Sequence, residues 1–473
     1  MYKRGSRSIA KNYRPITLTS HVIKVFERVI AKKIMDFLEY AEQLNASQHG
    51  FRKGRSCLSQ LLQHYQRLVN IVEQGNSADV VYLDFSKAFD KVDHKILIRK
   101  LSQAGIRGLL LSWITVFLSG RTQTVNVDGW HSDEEAVISG VPQGTVLGPL
   151  LFLVYIGDID MNIQYASISS FADDTRMTMN IKSKDDCAKL QQDLKSVYDW
   201  ATANHMSFNE EKFEHVRYGT SEELEGYKGP DGTDIRMMSE VKDLGVVVSN
   251  NCRFEKQIDE MVKKARRQIG WILRVFEARD MTTMITLFKS LILLLIEYCC
   301  QLWSPKKIGL IRKIEAIQRN FTYRIRNMQQ LDYWERLIEL KMYSLERRRE
   351  RYLIIYIWKI INGLSPNMSE DMAIQTRRSE RRGLNCKIPN VQRTSLQSIQ
   401  TIKEESFLVY GPKLFNALPI DLRDFTGDMD TFKSKLDNFL KNIPDKPALP
   451  HYRQSAASNS LIDQLAQQRA GII

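Results

Sequence analysis

Two aspartates stand side by side in SSFADDTRM, Ser169 to Met177, and no other feature constrains the fold as strongly. Phe171 and Ala172 precede them, and Thr175, Met177, Thr178 and Met179 downstream suit a half-buried strand. At ~4 Å and an effective dielectric of ~20, two carboxylates cost each other about 4 kcal/mol. That equals roughly 3 pKa units. Either one of the pair protonates, or a cation sits with them, or the two merely make a solvated hairpin turn.

A third acid favours the cation. In DVVYLDF, a β-branched and aromatic strand over Asp79 to Phe85, Asp84 follows four apolar residues in a row. Strands rarely carry an unpaired acid in such a place. Asp84 and Asp173 are far apart in sequence, so only the fold can join them. Three carboxylates match hard divalent ions of the magnesium type, with waters and a substrate phosphate completing the shell. Two such ions about 3.5–4 Å apart clamp the attacking and leaving oxygens of a phosphoryl transfer.

Charge points to a polyanionic partner. Lys plus Arg is 68 against 55 acids in 473 residues, a net +13. Nucleic acid suits that surplus better than a membrane surface does, with plain solubility as the alternative. The six cysteines include no CxxC pair, which argues against a zinc knuckle and for an intracellular, reducing compartment. The basic start MYKRGSRSIAKNYRP has no apolar run after it, so no signal peptide is expected. The most apolar stretch, SLILLLIEYCC (Ser290–Cys300), is too short to span a bilayer and reads as a buried helix.

Along the chain, Val22, Val25, Phe26, Val29, Ile30, Ile34, Phe37 and Leu38 recur at helical spacing. The residues Lys87 to Leu101 and Asp186 to Ala201 also read as helical, while KFEHVRYG and VKDLGVVVSN read as short strands. After Asn251 long helices rich in Lys, Arg and Trp take over. Ser365 to Lys403, with the dense QTRRSERRG, reads as a basic loop or linker. Short strands separated by helices around an acid-bearing turn indicate an α+β sheet of the palm type.

Other segments are weaker signals taken singly. GFRKGR sets Arg52, Lys53 and Arg55 on a Gly-punctuated loop that suits phosphates, or is a solvated charge run. GVPQGTVLGP, with Gln143 and Gly144, suits close approach to a flat ligand, as any tight turn also would. Lys212 in NEEKFEHV suits protonation of a leaving pyrophosphate or is an ordinary surface lysine. Asp90 and Asp93 read as helix caps and surface polarity, and His21, His49 and His94 as structural.

Together these segments resemble the reverse transcriptases of non-LTR (LINE-type) retrotransposons, jockey-like branches especially. The likeness runs from Asn12 to about Asn250 through NYRPITLTSHVIKVFERV, QHGFRKGRSC, YLDFSKAFDKVDH, SGVPQGTVLGPLLF, FADD, NEEKFEHV and KDLGVVV, in the family's order. It implies an RNA-directed DNA polymerase with an α+β right-hand fold of fingers, palm and helical thumb. Asp84, Asp173 and Asp174, with the carbonyl of Phe85, would hold two magnesium ions, or manganese. Phe89 would reject the ribose 2′-OH, and Gln143 and Gly144 would line the incoming deoxynucleotide. Arg52, Lys53 and Arg55 would hold phosphates, and Lys212 would be the general acid. Leu244, Gly245 and Val246 would support the primer end, and Ala172 is small where that end approaches.

The expected division is partial fingers over 1–78 and a palm with inserted finger and helical elements over 79–250. The reverse transcriptase domain would span about 10–250. A helical thumb over 251–364 would follow, then a basic linker, small C-terminal unit and frayed tail over 365–473. The implied partners are an RNA template, a DNA primer, deoxynucleoside triphosphates and a separate endonuclease, with no membrane, in nucleus and cytoplasm. The chain starts inside the finger region, and neither an endonuclease domain nor an RNase H pattern is visible. Phe213 stands where relatives mostly carry a small polar residue, and Gly157 replaces the usual Asn. These departures read as an N-terminally truncated copy. The alternative function is a catalytically inactive, nucleic-acid-binding remnant. An acid-triad nuclease fits the motif order and Phe89 less well.

Overall fold

The computed structural model describes every residue except 1, 3, 4, 7, 8, 10, 11, 14, 15, 128, 220–224, 368–372, 392–396, 448, 450–457 and 470–473. The first elements are α1 (His21–Tyr40), α2 (Cys57–Glu73), β1 (Ser77–Leu83), α3 (His94–Gln103) and α4 (Gly108–Leu118). Four short strands follow: β2 (Thr122–Gln123), β3 (Asn126–Val127), β4 (Trp130–His131) and β5 (Glu135–Ala136). They form a nested hairpin, with β2 on β5 and β3 on β4. Then come α5 (Leu147–Ile156), β6 (Ser167–Phe171), β7 (Asp174–Ile181), α6 (Lys184–Ala203), β8 (Glu214–Tyr218) and β9 (Arg236–Met237).

The chain folds as two compact units, the first holding residues 1–56, 77–217 and 221–238. Its centre is a five-stranded sheet in the order β6-β7-β1-β8-β9. β1 is buried nearly end to end, as a run of Val, Val, Tyr and Leu requires. It pairs antiparallel with β7 from Ser77↔Ile181 to Leu83↔Thr175. The helices bury Leu97, Leu101, Leu151, Leu153, Leu190 and Leu194 in the same core. α5 is apolar on every side and is buried accordingly. A capping box of Ser183 and Asp186 starts α6, and the Asp93 carboxylate caps α3.

α1 departs from its apolar pattern. Ile34 and Leu38 are buried, but Val22, Val25, Phe26 and Val29 are exposed. The periodicity marks a helix correctly, yet much of its apolar stripe stays exposed: Phe26 meets Trp113 edge-on and Glu27 is buried, while Phe37 near the other end is exposed as well.

The second unit holds residues 57–76, 218–220 and 239–473. α2 and residues 239–250, expected in fingers and palm, belong to it. The ion pair of Lys403 with Glu73 shows why: it ties α2 to the helix Gln397–Glu405. β10 (Glu240–Asp243) and β11 (Val246–Ser249) form a hairpin rather than one strand. Its turn, Leu244 and Gly245, has φ of 42° and 87°, the two positive values of a type I′ turn. α7 (Glu255–Val275) and helices over Ile308–Thr322 and Leu345–Ile361 are the longest of those that follow.

Three expectations change here. Ser290–Cys300 is not one buried helix, since a π-helical turn over Phe288–Leu293 and a left-handed Cys299 interrupt it, and Leu294 and Leu295 are exposed. Inside 365–403 lie a strand pair, Thr376–Ser379 with Gly383–Cys386, and the start of a helix. The tail expected to fray carries the helix Leu461–Arg469, because Leu461 is buried and its N–H is received by Glu350. All six cysteines are free thiols. Among the described residues no helix is long and apolar enough to cross a membrane.

Candidate active site

The first unit brings the three aspartates together by register. The β1–β7 ladder ends at Leu83↔Thr175, so one step further sets Asp84 opposite Asp174. Asp84 is held at the strand end, because its carbonyl accepts the Asn209 N–H at 2.8 Å. Phe85 then pairs with Phe208 in an isolated bridge, and their rings stack at 4.5 Å. Asp173 lies in the two-residue turn that joins β6 to β7, closed by the pair Phe171↔Asp174. Ala172, the first turn residue, has φ of 57°, a region that costs a non-glycine residue about 1–3 kcal/mol.

Charge is concentrated at this point. The surrounding protein, then Asp173, then Asp84 push the Asp174 carboxyl up to about 6, although Asp174 keeps contact with solvent. Arg176 and Lys212 pull in the opposite direction. Lys212 ends a short turn, Glu210–Lys212, and its ammonium donates to Asp84 Oδ2 at 2.6 Å. The donors are carboxylates only, which fits a hard divalent ion and not zinc. Among the described residues no group of three or more His, Cys, Asp or Glu is drawn in closely enough to hold a metal. In this arrangement the cation beside Asp84 is Lys212.

Around the acids stand aromatic and loop residues. The Phe89 ring stacks on Phe152 at 4.3 Å and meets Phe51 edge-on at 6.2 Å. Its carbonyl accepts from Val141 N–H, which fixes it to the Gly/Pro loop. In that loop Gln143 Nε2 donates to Asp90 Oδ1 at 2.8 Å, and its carbonyl accepts the Thr17 N–H at 2.7 Å. Asp90 is therefore no helix cap; it orients Gln143. Gly144 has φ of 102°, and a Cβ there would come within 2.9 Å of the Thr17 carbonyl oxygen. Glu27 of α1, fully buried, accepts the N–H groups of Val146 and Leu147 where α5 begins.

The three cations of the GFRKGR loop are not equivalent. Arg52 is buried and spends its guanidinium on Glu39, at 2.8 and 2.5 Å, and on the Asn45 carbonyl. Arg55 donates to the Ala46 and Gln48 carbonyls, and burial beside Arg52 lowers its pKa to about 10. Lys53 is exposed. Leu244, Gly245 and Val246 belong to the second unit, where the first two form the hairpin turn and Val246 is buried.

Two residues that matter here carried no sequence signal. Gln48 bonds to the backbone of Ala172, and Asp79 forms a buried pair with Arg217. Asp79 opens the DVVYLDF strand and is fully buried, whereas Asp84 closes it in partial contact with water. The position of an acid along a strand does not tell these two apart.

Comparison with known proteins gives a consistent result. Residues 2–248, just over half of the chain, match the reverse transcriptase (RNA-dependent DNA polymerase) family. The chain is 29% identical over 318 residues to the "probable RNA-directed DNA polymerase from transposon X-element" of Drosophila melanogaster, covering 65% of this chain and 35% of that protein. It is 26% identical over 325 residues to the RNA-directed DNA polymerase of the mobile element jockey from the same fly, covering 66% and 35%. The chain thus spans about a third of the length of these relatives. A solved telomerase of Candida tropicalis with a telomeric RNA fragment is 9% identical, with a TM-score of 0.41, over 88% of this chain and 56% of that one. The α+β class, of the right-hand polymerase type, accords with the family match. By that match the chain belongs to the reverse transcriptase family.

Proposed function

We propose that this chain copies an RNA template into DNA, adding deoxynucleotides to a primer 3′-OH, as part of a non-LTR retrotransposon. The observation that carries the reading is the meeting of Asp84 with the Asp173–Asp174 turn across the β1–β7 register, with Lys212 on Asp84. Asp84, Asp173, Asp174 and the carbonyl of Phe85 would hold two magnesium ions, or manganese. When bound, these ions neutralise the substrate phosphates and favour the ionised form of the primer hydroxyl.

The chain's own residues do the rest. Lys212 donates a proton to the leaving pyrophosphate, and its ammonium is already held at the site by Asp84. Phe89, braced by Phe152, closes the space a 2′-OH would take. Gln143 and Gly144 line the nucleotide, with Gln143 oriented by Asp90. Lys53 and Arg55 face the phosphates, while Arg52 holds the loop that carries them. The Leu244–Val246 hairpin supports the primer end. The fingers, palm and thumb division, an endonuclease supplied separately, and residence in nucleus and cytoplasm complete the reading.

The test is primer extension on an RNA template with Mg²⁺ and deoxynucleotides, beside an Asp173→Ala/Asp174→Ala variant. Extension by the wild type that vanishes in the variant is expected. No extension, with salt-sensitive RNA binding in both proteins, would leave a nucleic-acid-binding chain instead.

A further inference from the structure

We infer that Gln48 is a positioning residue that sets the aim of Asp173. Residues 47–50 lie along the edge strand β6. The His49 N–H donates to the Ser170 carbonyl at 2.9 Å, the Ser170 N–H donates to the Ser47 carbonyl at 3.2 Å, and Gln48 forms a parallel bridge with Ser170. Backbone pairing stops there, because the chain beyond Phe171 turns. The Gln48 side chain takes over. Its Oε1 accepts the Ala172 N–H at 2.9 Å, and its Nε2 donates to the Ala172 carbonyl at 3.2 Å. The same Oε1 accepts the Gly50 N–H at 2.8 Å.

A carboxamide has the donor and acceptor of a peptide group. Gln48 therefore does for the turn what a neighbouring strand does for a strand. The two peptide planes that flank Ala172 are both fixed by it, and the second of them leads directly into Asp173. The turn needs this help because Ala172 is an alanine at φ of 57°. Gln48 is 5% exposed, so water does not substitute for it. Gly50 completes the fit, since a Cβ there would lie 2.4 Å from the Ala172 nitrogen. No group of the cluster other than this side chain bonds to both sides of Ala172 among the described residues.

The inference rests on the polymerase reading only for its kinetic arm. The proteins to compare are the full chain and its Gln48→Met, Gln48→Glu, Ala172→Gly and Gln48→Met/Ala172→Gly variants, with Asp173→Ala/Asp174→Ala as the blank. Four readouts are needed: Mn²⁺ affinity by electron paramagnetic resonance, kcat and KM for a deoxynucleotide, melting temperature, and RNA binding. Gln48→Met is expected to weaken aspartate-dependent Mn²⁺ binding about tenfold and to lower kcat by a similar factor, with KM unchanged. Gln48→Glu keeps the shape and both acceptor bonds, and should fall between. Glycine adopts the turn unaided, so Ala172→Gly should recover most of what Gln48→Met loses.

Wild-type Mn²⁺ affinity and kcat in Gln48→Met would overturn the inference while leaving the polymerase intact. A fall in melting temperature and RNA binding that Ala172→Gly does not rescue would overturn it too, reducing Gln48 to a buried support. A wild type that binds Mn²⁺ without extending primers, and loses that binding in Gln48→Met, would defeat the polymerase reading and uphold the inference.

Discussion

Asp79 and Lys212 show how differently two charged residues serve the same sheet. Asp79 is fully buried, and Arg217 grips both of its oxygens at 2.8 and 2.7 Å. Tyr227 donates to it, and His215 Nε2 lies 3.3 Å away. Burial alone would raise its pKa, but the bonds from Arg217, His215 and Tyr227 outweigh it and hold the carboxyl at about 2. A depressed carboxyl adds stability above its unfolded pKa and loses it as pH falls through the folded value. Stability should therefore drop by about 2 kcal/mol, spread between about pH 5 and pH 1. Urea midpoints across that range check this, and Asp79→Asn should flatten the drop. Asp79→Ala leaves Arg217 buried without its partner and should cost about 3–5 kcal/mol at neutral pH. Lys212 is half exposed, so its bond to Asp84 adds little stability. Lys212→Ala should leave the melting temperature nearly unchanged while lowering kcat for extension by about a hundredfold or more. An unchanged kcat would remove it from the acid role.

At the scale of elements, the site depends on contacts that join remote segments. α5 begins inside the core, where its first N–H groups have no water to meet, and Glu27 of α1 answers them at 2.7 and 3.0 Å. The Gly/Pro loop that carries Gln143 ends at this cap. Glu27→Ala should cost about 1–3 kcal/mol, read as a lower denaturant midpoint, and should raise KM for the deoxynucleotide through the loosened loop. A midpoint change without a KM change would confine Glu27 to holding the helix. The opening of α5 was legible as an apolar helix after a breaker-rich loop. Its anchor was not, because one acid in the second turn of α1 looks like any polar position on an amphipathic helix.

For the whole molecule the net charge of +13 sets the expectation. If the chain makes ~6–10 phosphate contacts, its RNA affinity should fall about 10³–10⁵-fold between 50 and 200 mM salt. A titration of fluorescent RNA measures the slope, and a flat response would remove the polyanion as partner. Each of the two units is assembled from segments far apart in sequence. α2 lies early in the chain but packs with residues near 403, because Lys403 and Glu73 are both nearly buried and need each other.

What the sequence determined by itself is local or repeated. The apolar run of β1, the acid pair after Phe171 and the helical spacings are properties of neighbours in the chain, and backbone geometry turns them into strands, a turn and helices. Asp84 stands out in the sequence because it follows four apolar residues, and Asp173 and Asp174 because two like charges stand side by side. The tertiary structure alone decided which polar side chain answers which. Gln48 reaches Ala172 across 124 positions and Arg217 reaches Asp79 across 138. The same holds for α1, whose spacing marks a helix but not which part of its face is covered. A hydrogen bond is fixed by where two groups meet in space, and burial removes the water that would otherwise satisfy either one. Such pairings leave no periodic trace in the chain, so they appear only once it has folded.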